Sequence, residues 1–261
     1  MLGSGGRVSS KKNDDVMGAV LLESWRATDP SDPPYLVVER EDDYVAPSDG
    51  PSLYYFRDFP EWPWTNRTAM TYVRGRVLDV GCGAGRVGLY LQARGFDVVS
   101  IDKSPGAVTV SKERGLHNVE ECSLETVDRL APARFDTVTL MCNCFGLLQN
   151  LPIAKAVLEK LAVLTSQNAL IIAETNDPHA TSYPEHTSYL QLNKDRGRMP
   201  GQASIRLRYR AMMGEWFDDL SVSRSEMSSV LEGTAWRVRK IIDGQNGSPY
   251  YVALIEKRSV N

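Results

Sequence analysis

Residues 79 to 102 gather groups whose types and spacing suit the binding of a nucleoside-bearing ligand. Asp79 stands before Gly81, Gly83 and Gly85, which alternate with single residues, and a second carboxylate, Asp102, follows at a helix-length distance. Glycines in that pattern permit a turn that side chains resist and let a ligand approach the backbone closely. A helix opening after the turn presents unpaired N–H groups at its start, and an acid at the tip of the next strand can grip a ribose hydroxyl pair. Farther along, Glu174, Asp177, His179 and His186 are the candidates for acid–base work. A lone histidine in a polar loop is more often simply solvated, so both histidines compete with that reading.

The elements that must position these groups follow from hydrophobic periodicity. Val77–Val80 reads as a buried strand and 84–94 as the helix after the glycine turn. The alternation continues with strand 97–102, helix 104–114, strand 117–122, helix 124–130 and strand 135–141. Parallel strands joined by helices are implied. Residues 145–164 read as amphipathic helix, with Pro152 either kinking it or opening a second one. Strand 169–174 leads to residues 176–202, too long for a plain connection and therefore expected to be functional or mobile. Ser204–Ala211 alternates strictly, and Met213-Gly214 can turn it back into Glu215–Leu220, a β-hairpin signal. A helix over 223–231 and strands over 236–242 and 250–256 complete the pattern, the last two as an antiparallel pair.

The glycines alone leave two cofactors open. Gly83-Ala-Gly85-Arg-Val-Gly88 satisfies the G-x-G-x-x-G pattern of dinucleotide binding. Asp79, however, puts a negative charge where a pyrophosphate needs room, and it suits a ligand with a cationic ammonium end, of which S-adenosylmethionine is the common one. Register agrees: Gly81, not Gly83, closes the strand.

At these residues, and over roughly 70 to 175, the chain resembles the class I S-adenosylmethionine-dependent methyltransferases, and more loosely as far as Arg258. Phe135–Met141 looks like the strand whose end faces the methyl group, and Ala169–Glu174 like the one after it. The glycine turn that often precedes the latter is replaced by Thr165-Ser-Gln-Asn168, where Asn can supply the left-handed residue. The resemblance implies an α/β, Rossmann-like, seven-stranded and mostly parallel sheet with an antiparallel last strand and helices on both faces. It implies that the backbone of Gly81, Cys82, Gly83 and Gly85 meets the methionine and ribose part of the donor. Asp79 would orient its amino group and Asp102 would take the ribose hydroxyls. Lys103, Ser123, Leu124 and Glu125 would border the adenine, with Met141, Cys142 and Asn143 at the reactive end.

Three parts of the chain are expected: a flexible tail over 1–13, an N-terminal helical and aromatic segment over 14–70, and a methyltransferase domain over 71–261 with the 176–222 loop and hairpin inserted over the site. Asp14 or Asp15 would cap the first helix. The aromatics of 54–64 read equally as a lid or as a hydrophobic plug. Tyr54, Tyr55, Tyr183, Tyr209 and Trp216 are candidates for a substrate cavity. Arg57 is a candidate for a ligand carboxylate, with a surface ion pair to Asp58 or Glu61 as the other reading.

With 30 basic and 33 acidic side chains, a formal net charge of −3 disfavours nucleic-acid backbones, and Arg206, Arg208 and Arg210 read mainly as the solvent face of a strand. The four cysteines lack disulfide or metal-ligand spacing, so no metal is expected. No apolar run reaches membrane-spanning length, and a cytoplasmic enzyme is the default. The expected activity is methyl transfer to a small molecule. RNA or protein acceptors, a nicotinamide-dependent oxidoreductase and a non-catalytic S-adenosylmethionine-binding protein are the alternatives.

Overall fold

The computed structural model describes residues 15–27, 34–48 and 54–258; the expected 1–13 tail lies outside the described residues. Helix α1 (Val16–Arg26) is followed by strands β1 (Leu36–Arg40) and β2 (Val45–Ser48), then by α2 (Trp64–Met70). The expected alternation comes next: β3 (Val77–Val80), α3 (Arg86–Gln92), β4 (Val98–Asp102), α4 (Pro105–Glu113), β5 (Val119–Glu121) and β6 (Phe135–Leu140). Helix α5 (Leu151–Leu164), β7 (Thr165–Asn176) and α6 (Pro184–Asp195) lead to β8 (Gln202–Tyr209), β9 (Met212–Met213) and β10 (Phe217–Leu220). The chain closes with α7 (Arg224–Val230), β11 (Trp236–Asp243) and β12 (Tyr250–Lys257).

Seven strands form one sheet in the order β11-β12-β7-β6-β3-β4-β5. β3 to β7 pair in parallel, while β12 runs antiparallel to both β7 and β11. Strand alternation divides the core between the two faces. Leu78, Val80, Val138, Leu140, Ile171 and Ala173 join one apolar cluster with α5 and α7, whereas Val77, Leu170 and Ile172 join another with α2 and α3. Both faces are covered, which is why these strands read as near-continuous apolar runs.

The helix expected over 124–130 is present and is of 3₁₀ type. Of the two readings of Pro152, the structure has it opening a second helix: Asn150 caps α5 through Ile153 N, and a separate 3₁₀ turn covers Cys144–Leu148. Two local expectations are corrected. Thr165–Asn168 is already strand in β7, so no left-handed residue is needed there. The 176–202 stretch contains the twelve-residue α6, which opens on Pro184 and buries Tyr189 and Asn193. Its sparse apolar positions hid it, because few of its side chains enter a core.

The hairpin exists, with β8 and β10 antiparallel in the register Phe217↔Ile205 to Leu220↔Gln202. It is part of a second, wholly antiparallel sheet, β10-β8-β1-β2, with β9 paired to β8. The N-terminal segment therefore supplies two strands to the same layer as the insertion, a pairing between residues about 170 positions apart in sequence (Val37↔Arg208) that local pattern cannot reveal. Arg206 and Arg208 lie on this layer facing Glu39, at 2.6 and 3.7 Å.

Asp15 fixes α1 beside the glycine turn, where Leu21 packs with Ala84. Its Oδ1 accepts from Gly18 N, capping α1, while Oδ2 accepts from Gly106 N and Ser104 Oγ at the start of α4. The two helices touch through glycine: a Cβ on Gly106 would stand 2.5 Å from Gly18 Cα and 2.7 Å from its carbonyl carbon. Backbone on both sides leaves no side chain to yield. Gly106→Val is expected to destabilise the chain by roughly 1–3 kcal/mol and to expose α1 amides to hydrogen exchange; unchanged α1 protection would refute this account of the docking.

Candidate active site

The glycine turn lies at the carboxyl end of β3. Gly81, Gly83 and Gly85 have φ of 65°, 55° and 78°, a left-handed series that side chains rarely adopt. Gly81 N and Cys82 N donate to Ile101 O, Gly83 N donates to Asp102 Oδ2 at 2.9 Å, and Gly83 O accepts from Ser111 Oγ at 2.9 Å. Each end of the turn is thus tied to β4 or α4. Asp102 also accepts from Ser104 N through Oδ1, and its burial raises the carboxyl above its ordinary value. The Cys82 thiol faces Ser111 Oγ at 3.8 Å, on the α4 side of the turn.

Asp79 is 2% exposed. Oδ1 accepts from Thr139 Oγ1 at 2.7 Å and Oδ2 from Ser100 Oγ at 3.4 Å, so the neighbouring strands β6 and β4 both reach it. Burial nevertheless lifts its carboxyl to about 6. Asp79 therefore ties three strands together under the turn, a duty that the sequence did not disclose.

At the helix end of the turn stands Arg86, 3% exposed and unremarked in the sequence. Its guanidinium carbon lies 4.4 Å from the ring centres of both Tyr54 and Trp62. Nη2 donates to Asn66 Oδ1 at 2.9 Å and to Cys142 Sγ at 3.0 Å, whereas Nε and Nη1 are buried without a partner. Two aromatic faces stabilise the charge by about 0.5–2 kcal/mol each, but they do not replace hydrogen bonds. Across the turn after β6, Asn143 Oδ1 is likewise buried and unpartnered. Open donors on one side and an open acceptor on the other suit a zwitterionic amino-acid group.

That turn is itself unusual: Cys142 and Asn143 are left-handed at φ 58° and 61°. Glu174, 3% exposed near the end of β7, holds it by accepting Cys142 N–H at 2.6 Å. Burial pushes the Cys142 thiol up to about 12, so it stays protonated at neutral pH. Met141 is 2% exposed and packs with the core around Trp62 and Ile172.

At the other end, the β4–β5 ladder brings Asp102 opposite Glu121, and the two parallel strands end together there, Lys103 following one and Cys122 and Ser123 the other. Leu124 is buried, Ser123 Oγ meets Thr126 Oγ1, and Glu125 accepts from Gln149 and lies exposed. The Lys103 ammonium lies 4.8 Å from the ring centre of Phe217 on β10, so the second sheet reaches this edge.

Tyr55 covers the turn, its ring 3.1 Å from where a Gly83 Cβ would stand, and Tyr54 packs beside it, donating to Asn66 Oδ1 at 3.3 Å. The other candidates lie elsewhere. Arg57 is exposed, 5.8 Å from the Tyr54 ring centre. Tyr183 and Trp216 are exposed, the latter under Arg206, and Tyr209 packs against Val16, Val20 and Leu36. His179 Nε2 meets Glu226 Oε1 at 3.0 Å at the start of α7, and Asp177 pairs with Arg224. His186 Nδ1 accepts from Arg40 Nη1 at 3.1 Å. Arg40 and His186, with Asn176, Tyr189 and Ser221, line a cavity of about 240 Å³ that takes no residue from 79–86 or 141–146. Neither histidine is brought to the glycine turn. Among the described residues no His, Cys, Asp and Glu cluster could hold a metal, and no helix is long and apolar enough to cross a membrane.

A family profile described as a methyltransferase domain matches residues 77–167. Curated relatives include the ubiquinone biosynthesis O-methyltransferases of Paraburkholderia phymatum, 32% identical over 41% of this chain and 47% of the relative, and of Dechloromonas aromatica, 30% identical over 44% and 50%. The chain spans about half the length of the curated relatives it matches. Among solved structures, an S-adenosylmethionine-dependent methyltransferase from Bacteroides fragilis, crystallised with S-adenosylhomocysteine, superposes with a TM-score of 0.76. It covers 94% of this chain and 95% of its own at 23% identity. A second, from Methanosarcina mazei, gives 0.56 over 74% and 98% at 13% identity.

Proposed function

We propose that this chain, which has the class I S-adenosylmethionine-dependent methyltransferase fold and carries a methyltransferase domain over residues 77–167, binds S-adenosylmethionine and transfers its methyl group to a small-molecule acceptor. The observation that carries the reading is the glycine turn bonded to Asp102, flanked by the open donors of Arg86 and the open acceptor of Asn143. Asp102 takes the ribose hydroxyls while its other bonds keep Gly83 in place. Lys103, Ser123 and Leu124 border the adenine, joined by Phe217 from β10. Arg86 receives the donor's carboxylate and Asn143 its ammonium group, with Asp79 holding the turn from below. Tyr54 and Tyr55 close over the methionine end and exclude water. When bound, the donor supplies a methyl carbon on a cationic sulfur, a good electrophile that needs alignment and a dry site more than side-chain chemistry. The relatives' naming as ubiquinone biosynthesis O-methyltransferases supports a small acceptor.

Calorimetry with S-adenosylmethionine and S-adenosylhomocysteine tests the donor site. Asp102→Ala is expected to weaken both by roughly 10- to 150-fold, the worth of one hydrogen bond to a charged group. Absence of binding in the parent chain, or binding of a reduced nicotinamide cofactor instead, would refute the reading. Incubation with labelled methyl donor and separate metabolite, RNA and protein pools identifies the acceptor class, with label expected in the metabolite pool.

A further inference from the structure

Asp219 stands beside the 3₁₀ turn that follows Met141–Asn143, with an unused carboxylate. It lies on β10 opposite Ala203 and has no hydrogen-bond or ion-pair partner among the described residues. Strand alternation puts it on the same face as Phe217, whose ring meets Lys103 at the adenine edge. The intervening Asp218 points the other way and is held by Asn150 Nδ2 at 3.2 Å and Gln202 Nε2 at 2.9 Å. The Asp219 carboxylate packs directly on Gly146, in the 3₁₀ turn that continues from Met141–Asn143; a Cβ on Gly146 would fall 2.7 Å from Asp219 Cγ. Gly146 is therefore small where the carboxylate must come close. The groups that face it are Tyr250 from β12 and, through Tyr250, Glu174 from β7, with Lys103 beyond Phe217 and Asp218 on its own strand. Glu174 is committed to Cys142 N–H, which leaves Asp219 as the carboxylate beside this turn with both oxygens open.

We propose that Asp219 is the general base of the methyl transfer, and that the acceptor is a protic nucleophile, a hydroxyl or an amine. This rests on the donor-binding reading above. The acceptor's oxygen or nitrogen lone pair forms the bond to the methyl carbon as the carbon–sulfur bond breaks, its electron pair returning to sulfur to leave a neutral thioether. The proton on the acceptor atom passes to an Asp219 oxygen and then to water. Burial raises the Asp219 carboxyl to about 6, so it is ionised at neutral pH yet more basic than an ordinary aspartate.

The full chain and Asp219→Asn are compared by three readouts. The first is melting temperature against pH, which needs no ligand. A folded value above the unfolded one means that the folded chain binds the extra proton: the stability this contributes is present below the unfolded value and lost as pH rises through about 6. Asp219→Asn is therefore expected to melt several degrees above the parent near neutral pH and to converge with it in acid. A variant less stable than the parent at neutral pH would show a bonded, structural carboxylate and overturn the proposal. The second is calorimetry with S-adenosylmethionine, where the affinity is expected to be unchanged. The third is transfer of labelled methyl to catechol and to benzylamine, where turnover is expected to fall about 100-fold or more, with partial rescue by Asp219→Glu and loss of the acid limb of the pH–rate profile. Failure of the parent to bind the donor would sink the donor-site reading. Donor binding with wild-type turnover in Asp219→Asn, or with neither probe methylated by the parent, would sink the base assignment.

Discussion

Arg86→Leu should bind S-adenosylmethionine roughly 10- to 150-fold more weakly than the parent, the worth of a charge-assisted hydrogen bond to a carboxylate, and should also lose stability, because buried Glu174 is left without its cationic neighbour. A ligand that lacks the carboxylate separates the two effects. Of the guanidinium nitrogens only Nη2 meets a hydrogen-bond acceptor, and Asn66 Oδ1 retains the Tyr54 hydroxyl as a donor when Arg86 is removed. Removing one partner of a buried charge pair leaves the other uncompensated, which typically costs about 3–5 kcal/mol. The ligand loses a separate contact, since the open Nε and Nη1 are the groups proposed to meet its carboxylate. Arg86→Lys should recover part of the affinity, because a point charge remains but the planar fork does not. 5′-Methylthioadenosine, which lacks the amino-acid end, serves as the control: parent and Arg86→Leu should bind it equally. Equal losses for both ligands would mean that the substitution deforms the turn, and no loss for either would remove Arg86 from the donor site.

Glu174→Ala should lower stability by about 2–4 kcal/mol, the cost of leaving a buried backbone donor and a buried cation without their anionic neighbour. That corresponds to a fall in melting temperature of roughly 5–10 °C for a chain of this size. Cys142 N–H would lose its 2.6 Å acceptor, and with it goes the support for two successive left-handed residues that no glycine occupies. Glu174→Gln keeps an oxygen at the same place and should retain most of the stability. It also decides between two roles. If Glu174 only positions the Cys142-Asn143 turn, Glu174→Gln should keep turnover within about 10-fold of the parent. A loss of 100-fold or more at unchanged stability and donor affinity would instead make Glu174 the base, as its place in the sequence suggested.

How much was legible depended on how local the signal was. The β3 turn could be read because its glycines, the buried strand before it and the acid one helix later all sit within about twenty-five residues, and the left-handed series at 81, 83 and 85 agrees. Asp15 could be read as a cap, since capping spans three residues; its second bond, to Gly106 across 91 positions, could not. Helix α6 was missed because its polar surface dilutes the apolar period. His179 and His186 were credible while only residue type was in view. Their partners, Glu226 and Arg40, come from distant elements that no spacing rule connects to them.

By itself, then, the sequence determined the parallel α/β sheet, the glycine turn after β3 and the antiparallel closing strands, because hydrophobic period, glycine conformation and strand-to-helix order act through neighbours in the chain. Only the tertiary structure decided which charged side chains are free to do chemistry. Whether a carboxylate or guanidinium is already spent depends on what folds against it. Glu174 is taken by Cys142 N–H, Asp79 by Thr139 and Ser100, and His186 by Arg40, whereas Arg86 keeps two open donors and Asp219 an open carboxylate. Burial and partnering arise from contacts between distant segments: the seven-stranded sheet and its turns supply those of Asp79, Glu174 and Arg86, and the second sheet, which joins residues 36–48 to 202–220, supplies Arg40 to His186 and carries Asp219.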